Sequence, residues 1–509
     1  MTKPSIVRTL RRAAIALLVL AALGTVRLRA EAPVGIQAGD IVLRGGWMID
    51  VLKGVAERNT GIIVRDGVLM DVHADLAGLD LSKARVIDLQ PDEYVLPGLF
   101  DLHAHYAVDL FGQGRVDEYH VNPVLYLANG VTSTFPAGEI DPGAMMRARE
   151  RIDAGEQIGP RIYNSGPYFG SARPGWNDAE ETPARIRQEV DYWANHGVRD
   201  FKAKGIHADQ LRALIDEAHK HGLTVTGHLG SGYHGTVNPR DAILMGIDRI
   251  EHFIGGDAFP ASRSAYDSLE YLDASRPEVL AEIKLFLRQH VYFDPTLTAY
   301  GYFGKKDPAV YTYWINEMQF LTPYAHQVVE SHLPRPVNEQ FERIYYVKRK
   351  TIKRFYDAGG RDYISLGTDH PSWGEFFSGF GSHRELQAFV LSGIPPADAL
   401  RFGTINGARA LNVASKLGSL EVGKYADLFV CKGNPLQDIR NTRYVQLVMK
   451  AGRVYDPKKL LASVVGKLGP ASAADSKPWK GNLNIKAPTA GSSSTFPAAP
   501  SLPRSSRDR

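Results

Sequence analysis

The central part of the chain alternates short apolar runs with stretches in which apolar residues recur at helical spacing. The clearest helix is Asp209–His221, where Leu211, Leu214, Ile215 and Ala218 share one face and Gly222 follows as a stop signal. Between the helical stretches lie eight runs that are short enough for buried strands: Leu99–His103, Val131–Phe135, Arg161–Ser165, Asp200–Lys204, Leu223–His228, Asp248–His252, Val291–Pro295 and Tyr363–Asp369. This alternation predicts an α/β fold, a (β/α)8 TIM barrel over residues 95–412.

Both ends of the chain have a different pattern, in which glycine and aspartate interrupt β-branched runs. Asp40–Gly46 and Gly61–Gly67 show it near the start, and Ala426–Val430 and Val445–Val454 show it near the end. Because two β segments can join into one sheet layer, the pattern predicts a sheet domain that flanks the barrel and is built from residues 31–94 and 413–465.

Residues 1–30 have the pattern of a targeting segment. A basic start from Lys3 to Arg12 precedes 14 uncharged, mostly apolar residues, Ala13–Val26, which suits the core of a signal peptide and is short for a membrane span. The segment predicts an exported protein, periplasmic or secreted, with an uncleaved anchor as the alternative. Residues 466–509 are rich in Ala, Ser, Pro and Lys without periodicity, which predicts a disordered tail.

Charge and cysteine content exclude several kinds of partner and chemistry. The chain of 509 residues has a formal charge of +4, but without residues 1–30 it carries 54 basic and 56 acidic residues. This nearly neutral body gives no reason to expect binding to nucleic acid, or to a membrane beyond the export signal, and the expected partner is a small-molecule substrate. Cys431, the single cysteine, lies in an apolar run and is interpreted as a buried structural thiol. The sequence leaves open whether the protein forms a homo-oligomer.

Polar side chains that suit metal ions stand at the ends of five predicted strands. His103 and His105 are two residues apart and therefore point to the same side of the first strand. Lys202 and Lys204, then His228, His252 and Asp369, end later strands. A barrel collects its chemistry at this edge, and histidine nitrogen and carboxylate oxygen are ligands for divalent ions. The pattern predicts a metal site.

The same residues resemble the amidohydrolase superfamily, over about residues 38–460. The resemblance rests on Leu96–His105, on His228 and His252, on Gly367–Asp369 and on Leu417–Leu428. In that family the last segment belongs to a β-sandwich that flanks the barrel, so the resemblance implies that the sheet domain of residues 31–94 and 413–465 is a β-sandwich. Three further segments resemble the branch of prolidase-like and imidazolonepropionase-like hydrolases: Gly166–Tyr168, Ile250–His252 and Asp294–Leu297.

This resemblance implies a site with two divalent ions, expected to be Zn²⁺. His103, His105 and Asp369 would bind one ion, and His228 and His252 the other. A carboxylated lysine would bridge them. The family spacing from Gly197 favours Lys202 for that role, with Lys204 as the alternative or as a substrate contact.

The resemblance also implies a mechanism. A water activated by the metals would attack an amide carbonyl, while Asp369 takes its proton and delivers it to the leaving nitrogen. The expected substrate is a small amide such as a dipeptide or an N-acyl amino acid. A cyclic-amide hydrolase, lactonase or esterase on the same site is the alternative, and a non-catalytic scaffold is the third hypothesis.

Other residues are candidates for contacts with the substrate. Tyr233, in the loop after the fifth strand, is expected to polarise the carbonyl or to touch a carboxylate, and Trp373 and Phe376 are expected to line the pocket. The segment Tyr300–Tyr346 is rich in aromatic residues and longer than a minimal barrel needs. It is either a lid that favours an apolar or aromatic substrate or an excursion with its own small core.

Overall fold

The computed structural model describes residues 34–110, 115–117, 119–312, 316–371 and 377–475. The predicted export segment, Trp373, Phe376 and the tail from residue 476 lie outside these ranges. Within them, no helix is both long enough and apolar enough to span a bilayer.

The strands of the described ranges are β1 (Ile41–Arg44), β2 (Trp47–Asp50), β3 (Val55–Arg58), β4 (Ile62–Arg65), β5 (Val68–Asp71), β6 (Arg85–Asp88), β7 (Glu93–Pro97), β8 (Leu99–Ala104), β9 (Ala107–Asp109), β10 (Arg115–Asp117), β11 (Val131–Pro136), β12 (Arg161–Ile162), β13 (Asp200–Lys204), β14 (Thr224–His228), β15 (Arg249–Glu251), β16 (Tyr292–Asp294), β17 (Leu428–Lys432), β18 (Val445–Lys450) and β19 (Arg453–Tyr455).

The helices are α1 (Val121–Ala128), α2 (Pro142–Asp153), α3 (Pro183–Asn195), α4 (Ala208–Lys220), α5 (Pro239–Met245), α6 (Ala265–Glu270), α7 (Pro277–Arg288), α8 (Leu297–Phe303), α9 (Pro308–Tyr311), α10 (Pro323–Ser331), α11 (Glu339–Asp357), α12 (Phe380–Leu391), α13 (Pro396–Arg401), α14 (Gly407–Ala410) and α15 (Pro457–Ser463). A short π-helix, Phe402–Asn406, connects α13 to α14.

The predicted helix at Asp209–His221 is α4. Its apolar stripe, including Leu211 and Leu214, is fully buried, and the backbone N–H of His207 donates to the Gln210 side chain at 3.1 Å to close its first turn. Gly222, with φ of +67°, follows the helix where the predicted stop signal stands. The spacing of apolar residues and the glycine therefore predicted this element to within one residue at each end.

Strands from the two ends of the chain meet in one sheet. Its order is β19-β18-β17-β7-β2-β3, and β7 pairs antiparallel with β17 from Pro97–Leu428 to Glu93–Lys432. A second sheet, in the order β5-β4-β1-β6, comes from the first ninety residues alone. Buried residues of both sheets form one cluster, in which Leu43 and Val64 pack with Val95 and Val430. The expected pairing of the two β-rich ends is thus observed.

The strands that carry the candidate residues are parallel. One sheet has the order β12-β11-β8, and the other has the order β13-β14-β15-β16. A parallel bridge between Phe169 and Ala203 links the end of the first group to β13, and residues 363–370 link β16 back to β8. This succession brings the C-terminal ends of the parallel strands together.

The predicted third strand, Arg161–Ser165, is shorter than expected. It ends at Ile162, and beyond it the chain makes only isolated parallel bridges, from Pro167 to Glu139 and from Phe169 to Ala203. Gly166 takes a positive φ of 64° and Pro167 lacks an N–H group, so the pairing here is reduced to an isolated bridge and does not extend into a regular ladder.

The predicted eighth strand, Tyr363–Asp369, is an extended segment without a continuous ladder. Its backbone still bonds on both sides: Phe293 N donates to Tyr363 O at 2.7 Å, and Leu102 N donates to Leu366 O at 2.9 Å. Gly367 explains the irregular path, because a Cβ there would lie 2.1 Å from a carboxylate oxygen of Asp294. Only glycine allows the backbone to approach this closely.

The long segment between β16 and residue 363 contains α8 to α11. Tyr300 of α8 stacks on Phe341 of α11 with ring centroids 5.3 Å apart. Residues just after Gly466 pack here as well, since Leu468 is buried and its N–H donates to Phe320 O at 2.7 Å. The chain is therefore ordered beyond the predicted start of the tail.

Glu282 on α7 provides a test of burial energetics. Burial raises the pKa of its carboxyl to about 8, and its Oε1 atom has no hydrogen-bond partner in the described ranges. Since the folded protein then holds a proton that the unfolded chain releases near pH 4.5, the free energy of unfolding falls as pH rises from about 4.5 to about 8. We expect Glu282→Gln to gain on the order of 2 kcal/mol over wild type between pH 5 and pH 8 in urea unfolding.

Glu278→Gln, an exposed change on the same helix, is the control. A difference between Glu282→Gln and wild type that is the same at both pH values would contradict this expectation.

Candidate metal centre and active-site cavity

The first predicted half of the site is assembled at the end of β8. Nε2 of His105 lies 2.9 Å from Oδ1 of Asp369, and Nε2 of His103 lies 3.4 Å from the same oxygen. His103 is buried, whereas the side chain of His105 is 20% exposed. Two histidines and an aspartate 264 positions further along the chain therefore present two nitrogens and one oxygen to a common point.

The second half adjoins the first. The His252 ring centroid lies 4.7 Å from that of His103 and 4.3 Å from that of His228. Glu251 adds a carboxylate, since its Oε2 atom lies 3.6 Å from Nδ1 of His103. His103, Glu251 and His252 can offer ligand atoms within 4.8 Å of one another. The structure thus brings all four predicted histidines together with Asp369.

The histidines are in a chemical state that favours metal binding. Burial, reinforced by the nearby lysines or histidines, holds the pKa of His103, His228 and His252 well below the usual value. Neutral imidazole is the form that ligates metals. Nδ1 of His252 lies 2.6 Å from the hydroxyl of Thr296, a contact that orients the ring and directs Nε2 toward the site.

Asp369 is held as a carboxylate. Burial raises its pKa, but the histidines beside it, His103 above all, outweigh that effect and hold the pKa well below its usual range. An ionised oxygen at this position can both ligate a cation and accept a proton. Asp369 and His252 also share left-handed backbone conformations, with φ of 60° and 63°. Such conformations are uncommon outside glycine and concentrate at functional sites.

The two candidate lysines occupy different environments. Lys202 is fully buried, and its Nζ donates to Oε2 of Glu251. Burial, followed by the nearby Lys204, holds the pKa of Lys202 well below its usual value. Lys204 lies one pleat further along β13, in register with His228, and lines the cavity described below. Burial also lowers the pKa of Lys204.

Two carboxylates that the sequence pattern did not single out support the site from beneath. Asp101 accepts from the N–H of His103 at 3.1 Å and from the hydroxyl of Thr368 at 2.7 Å, which ties β8 to the segment that carries Asp369. Asp294 is fully buried, its oxygens have no hydrogen-bond partner among the described residues, and burial raises its pKa to about 8. Asp101 could have been predicted from strand periodicity, because it lies two residues before His103 and therefore on the same side of the strand.

The residues present fit divalent ions. Nδ1 of His103, Nε2 of His252 and both oxygens of Asp294 are buried atoms without hydrogen-bond partners in the described ranges. Buried polar atoms are normally paired, and a ligated cation accounts for such exceptions. A mixed set of imidazoles and carboxylates is the donor chemistry that Zn²⁺ takes readily.

A cavity of about 500 Å³ opens over these side chains. His105, His228, Asp369 and Lys204 form its polar floor. Aromatic and apolar residues form most of the remaining wall: Tyr106, Tyr119, Met145, Tyr168, Tyr266, Tyr300, Phe303 and Phe341. Three of these come from the long segment between β16 and residue 363, so that segment covers the site as well as packing on itself.

Glu139, just past β11, also lines the cavity. Its Oε1 atom accepts from Nδ2 of Asn164 at 2.6 Å and from the N–H of Ser165 at 3.1 Å. Burial raises its pKa to about 8, so the carboxyl retains its proton at neutral pH. The residue thereby fixes the loop after β12 without adding a charge to the wall.

Tyr233 is the predicted site residue that the structure does not bring to the cavity. It lies in a short 3-10 turn, Tyr233–Gly235, is 38% exposed, and contacts the tilted ring of His234 with ring centroids 3.9 Å apart. Turn geometry decides where a loop side chain points, and the apolar pattern around Tyr233 carries no information about it.

A third group of possible ligands, Asp191, Glu217 and His221, lies on the surface between α3 and α4. Its acids are already paired, Asp191 with His221 at 2.7 Å and Glu217 with Lys220 at 2.8 Å. The group is therefore interpreted as an ordinary ion-pair network on the solvated surface.

Comparison with known proteins identifies the family of the chain. The model of the amidohydrolase family matches residues 94–455. A Bifidobacterium longum protein assigned as a prolidase is 26% identical, with a TM-score of 0.61 over 84% of this chain and 100% of that chain. No curated protein matches the sequence significantly.

Two further solved structures show the fold alone. A Xaa-Pro dipeptidase with methionine bound in its active site is 21% identical, with a TM-score of 0.62 over 82% of this chain and 100% of that chain. Phenylurea hydrolase B is 19% identical, with a TM-score of 0.62 over 84% of this chain and 99% of that chain. These likenesses place the chain in the α/β class with a TIM-barrel-type fold.

The family match covers well over half of the chain and includes every histidine, lysine and aspartate of the site. The chain therefore belongs to the amidohydrolase family and is a hydrolase that acts on carbon–nitrogen bonds.

Proposed function

We propose that the protein hydrolyses the amide bond of a small substrate at the floor of this cavity, with the help of two divalent ions, expected to be Zn²⁺. The observation that carries the proposal is the convergence of His103, His105 and Asp369 on one point beside His228 and His252. Metal binding in general is typical of the family, and the unpartnered buried donor atoms support it here.

The proposed ligand sets are those that the family resemblance implies, and the grouping of His103, His105 and Asp369 supports the first of them. His103, His105 and Asp369 would hold one ion, and His228 and His252 the other, with Lys202 as a carbamate between them. The low pKa of Lys202 supports this choice, because only the neutral amine reacts with carbon dioxide. Glu251, in contact with Lys202 and 3.6 Å from His103, is a further donor at the same place.

The bound ions would lower the pKa of a water molecule and polarise the substrate carbonyl. Asp369 takes the proton of the attacking water on a carboxylate oxygen. As the carbon–nitrogen bond breaks, Asp369 gives that proton to the leaving nitrogen, which departs as a neutral amine. Asp101 and Thr296 are positioning residues: Asp101 fixes the segment that carries Asp369, and Thr296 fixes the ring of His252.

The wall of the cavity favours a substrate with an aromatic or apolar group. Phe341 of α11 has ring centroids of Tyr266, Tyr300 and Phe303 within 5.6 Å, which makes a continuous aromatic surface. Such rings stack on planar apolar groups and exclude water from the reacting bond. Tyr233 would contact the substrate only after its turn moves toward the cavity.

The larger architecture belongs to the proposal as well. The bridges from β12 to β13 and from β16 to β8 support a (β/α)8 barrel at about residues 95–412. The two sheets with a shared core support a flanking β-sandwich from residues 31–94 and 413–465. Export to the periplasm or the medium rests on the pattern of residues 1–30.

A hydrolysis screen tests the function. The zinc-loaded protein is offered dipeptides, N-acyl amino acids, lactams, lactones and esters, each with an aromatic and an aliphatic member. We expect the linear amides with an aromatic group to give the highest kcat/KM. Faster turnover of lactones or esters than of every amide would overturn the assignment to amides in favour of the alternative hydrolases.

A further inference from the structure

Lys204 stands apart from the ligand set although it shares the floor of the cavity. It and Lys202 project from the same side of β13, two residues apart. Lys202 is buried against Glu251, whereas Lys204 lies at the end of the strand, in register with His228, and lines the cavity. Its ammonium group is therefore placed where a bound substrate passes close to the metal centre.

The positive charge of Lys204 has no ion-pair partner among the described residues, and Asp369 on the cavity floor favours that charge only from a distance. Lys204 is the only lysine or arginine among the described residues that line the cavity, and none of the described carboxylates lies within 4 Å of its Nζ. Nζ lies 5.9 Å from the ring centroid of Tyr168, a weak contact for a cation.

The two acidic side chains that line the cavity contact other residues. Asp369 contacts His103 and His105, and Glu139 contacts Asn164 and Ser165. A cation that is partly removed from water and left without an anion is unfavourable, and a bound anion removes that cost.

We propose that Lys204 binds a carboxylate of the substrate. The substrate class is then an amide that carries a carboxylate near the scissile bond, as N-acyl amino acids and dipeptides do, rather than an uncharged amide or urea. This inference rests on the proposed function and deepens it. Lys204 is a specificity-determining residue, since its ammonium group pairs with the carboxylate and holds the amide over the floor.

A matched pair of substrates tests the inference. N-benzoyl-L-phenylalanine and N-(2-phenylethyl)benzamide have the same aromatic groups and the same amide, and differ by one carboxylate. For the zinc-loaded wild type we expect kcat/KM to favour the carboxylate by about tenfold or more, the usual strength of a charge-assisted contact. Lys204→Met should reduce this ratio by about tenfold or more, mainly through KM, and Lys204→Arg should restore most of it.

Lys220→Met, on the exposed side of α4, is the matched control and should keep the wild-type ratio. Metal content is measured on every variant. A ratio near one in the wild type, or an unchanged ratio in Lys204→Met, would overturn the carboxylate contact while leaving amide hydrolysis intact. Loss of bound metal in Lys204→Met would overturn it too, because Lys204 would then be the bridging lysine. If the wild type cleaves no amide at all, the proposed function itself fails, and the inference with it.

Discussion

Replacement of Asp369 by Asn is expected to lower kcat by about 10³-fold while the fold is retained. The carboxylate lies 2.9 Å from Nε2 of His105 and 3.4 Å from Nε2 of His103, and these neighbours keep it ionised. The asparagine amide has the same shape, but it can neither accept the proton of the attacking water nor pass that proton to the leaving nitrogen. The measurement is steady-state hydrolysis of the best substrate from the screen by zinc-loaded variant and wild type.

Asp357→Asn, an exposed change on α11, is the control for the chemical substitution. Metal content must be measured alongside, because Asp369 is also a proposed ligand. A variant Asp369→Asn that binds metal and keeps more than about a tenth of the wild-type kcat would refute the role of Asp369 in proton transfer.

Lys202→Ala is expected to have the second large effect, a loss of bound divalent ions together with a fall in kcat/KM of about 10³-fold. If Lys202 bridges the ions as a carbamate, its removal takes away an anionic ligand from both of them. It also leaves Glu251 buried without its partner, so circular dichroism must confirm that the variant is folded.

Lys204→Ala is the matched comparison, two residues away on the same strand. It should retain both ions. If Lys204→Ala loses the metal and Lys202→Ala keeps it, the assignment of the bridge to Lys202 is wrong.

The sequence predicted the parts of the site that follow from strand periodicity. A two-residue spacing places His103 and His105 on one side of β8, and apolar runs that end in His228, His252 and Asp369 indicate which edge they share. The observed distances between these residues agree with that argument. The α4 helix was equally predictable, since its apolar stripe and its stop glycine are local signals.

Features that depend on contacts between distant segments could not be predicted in this way. The eighth strand is irregular because Gly367 passes close to Asp294, and the third strand ends at Ile162, with only isolated bridges beyond Gly166. The periodicity of the sequence does not indicate that Asp101 forms a hydrogen bond with Thr368 or that Thr296 orients the ring of His252.

Loop side chains were the least predictable. Tyr233 was expected at the substrate, but its turn holds it at the surface, against the ring of His234. The aromatic segment gave a mixed result for the same reason. Its composition indicated either a lid or a separate small core, and the packing of Tyr300, Phe303 and Phe341 serves both purposes, because these rings contact one another and also line the cavity.

The central claim is that divalent ions held by these residues are required for amide hydrolysis, and metal analysis combined with activity on one sample tests it most directly. The wild-type protein is purified with bicarbonate and zinc, assayed, stripped with a chelator, assayed again, and reconstituted. We expect two ions per chain at the start, loss of hydrolysis in proportion to the ions removed, and recovery when zinc and bicarbonate return. Undiminished hydrolysis by metal-free protein would contradict the account.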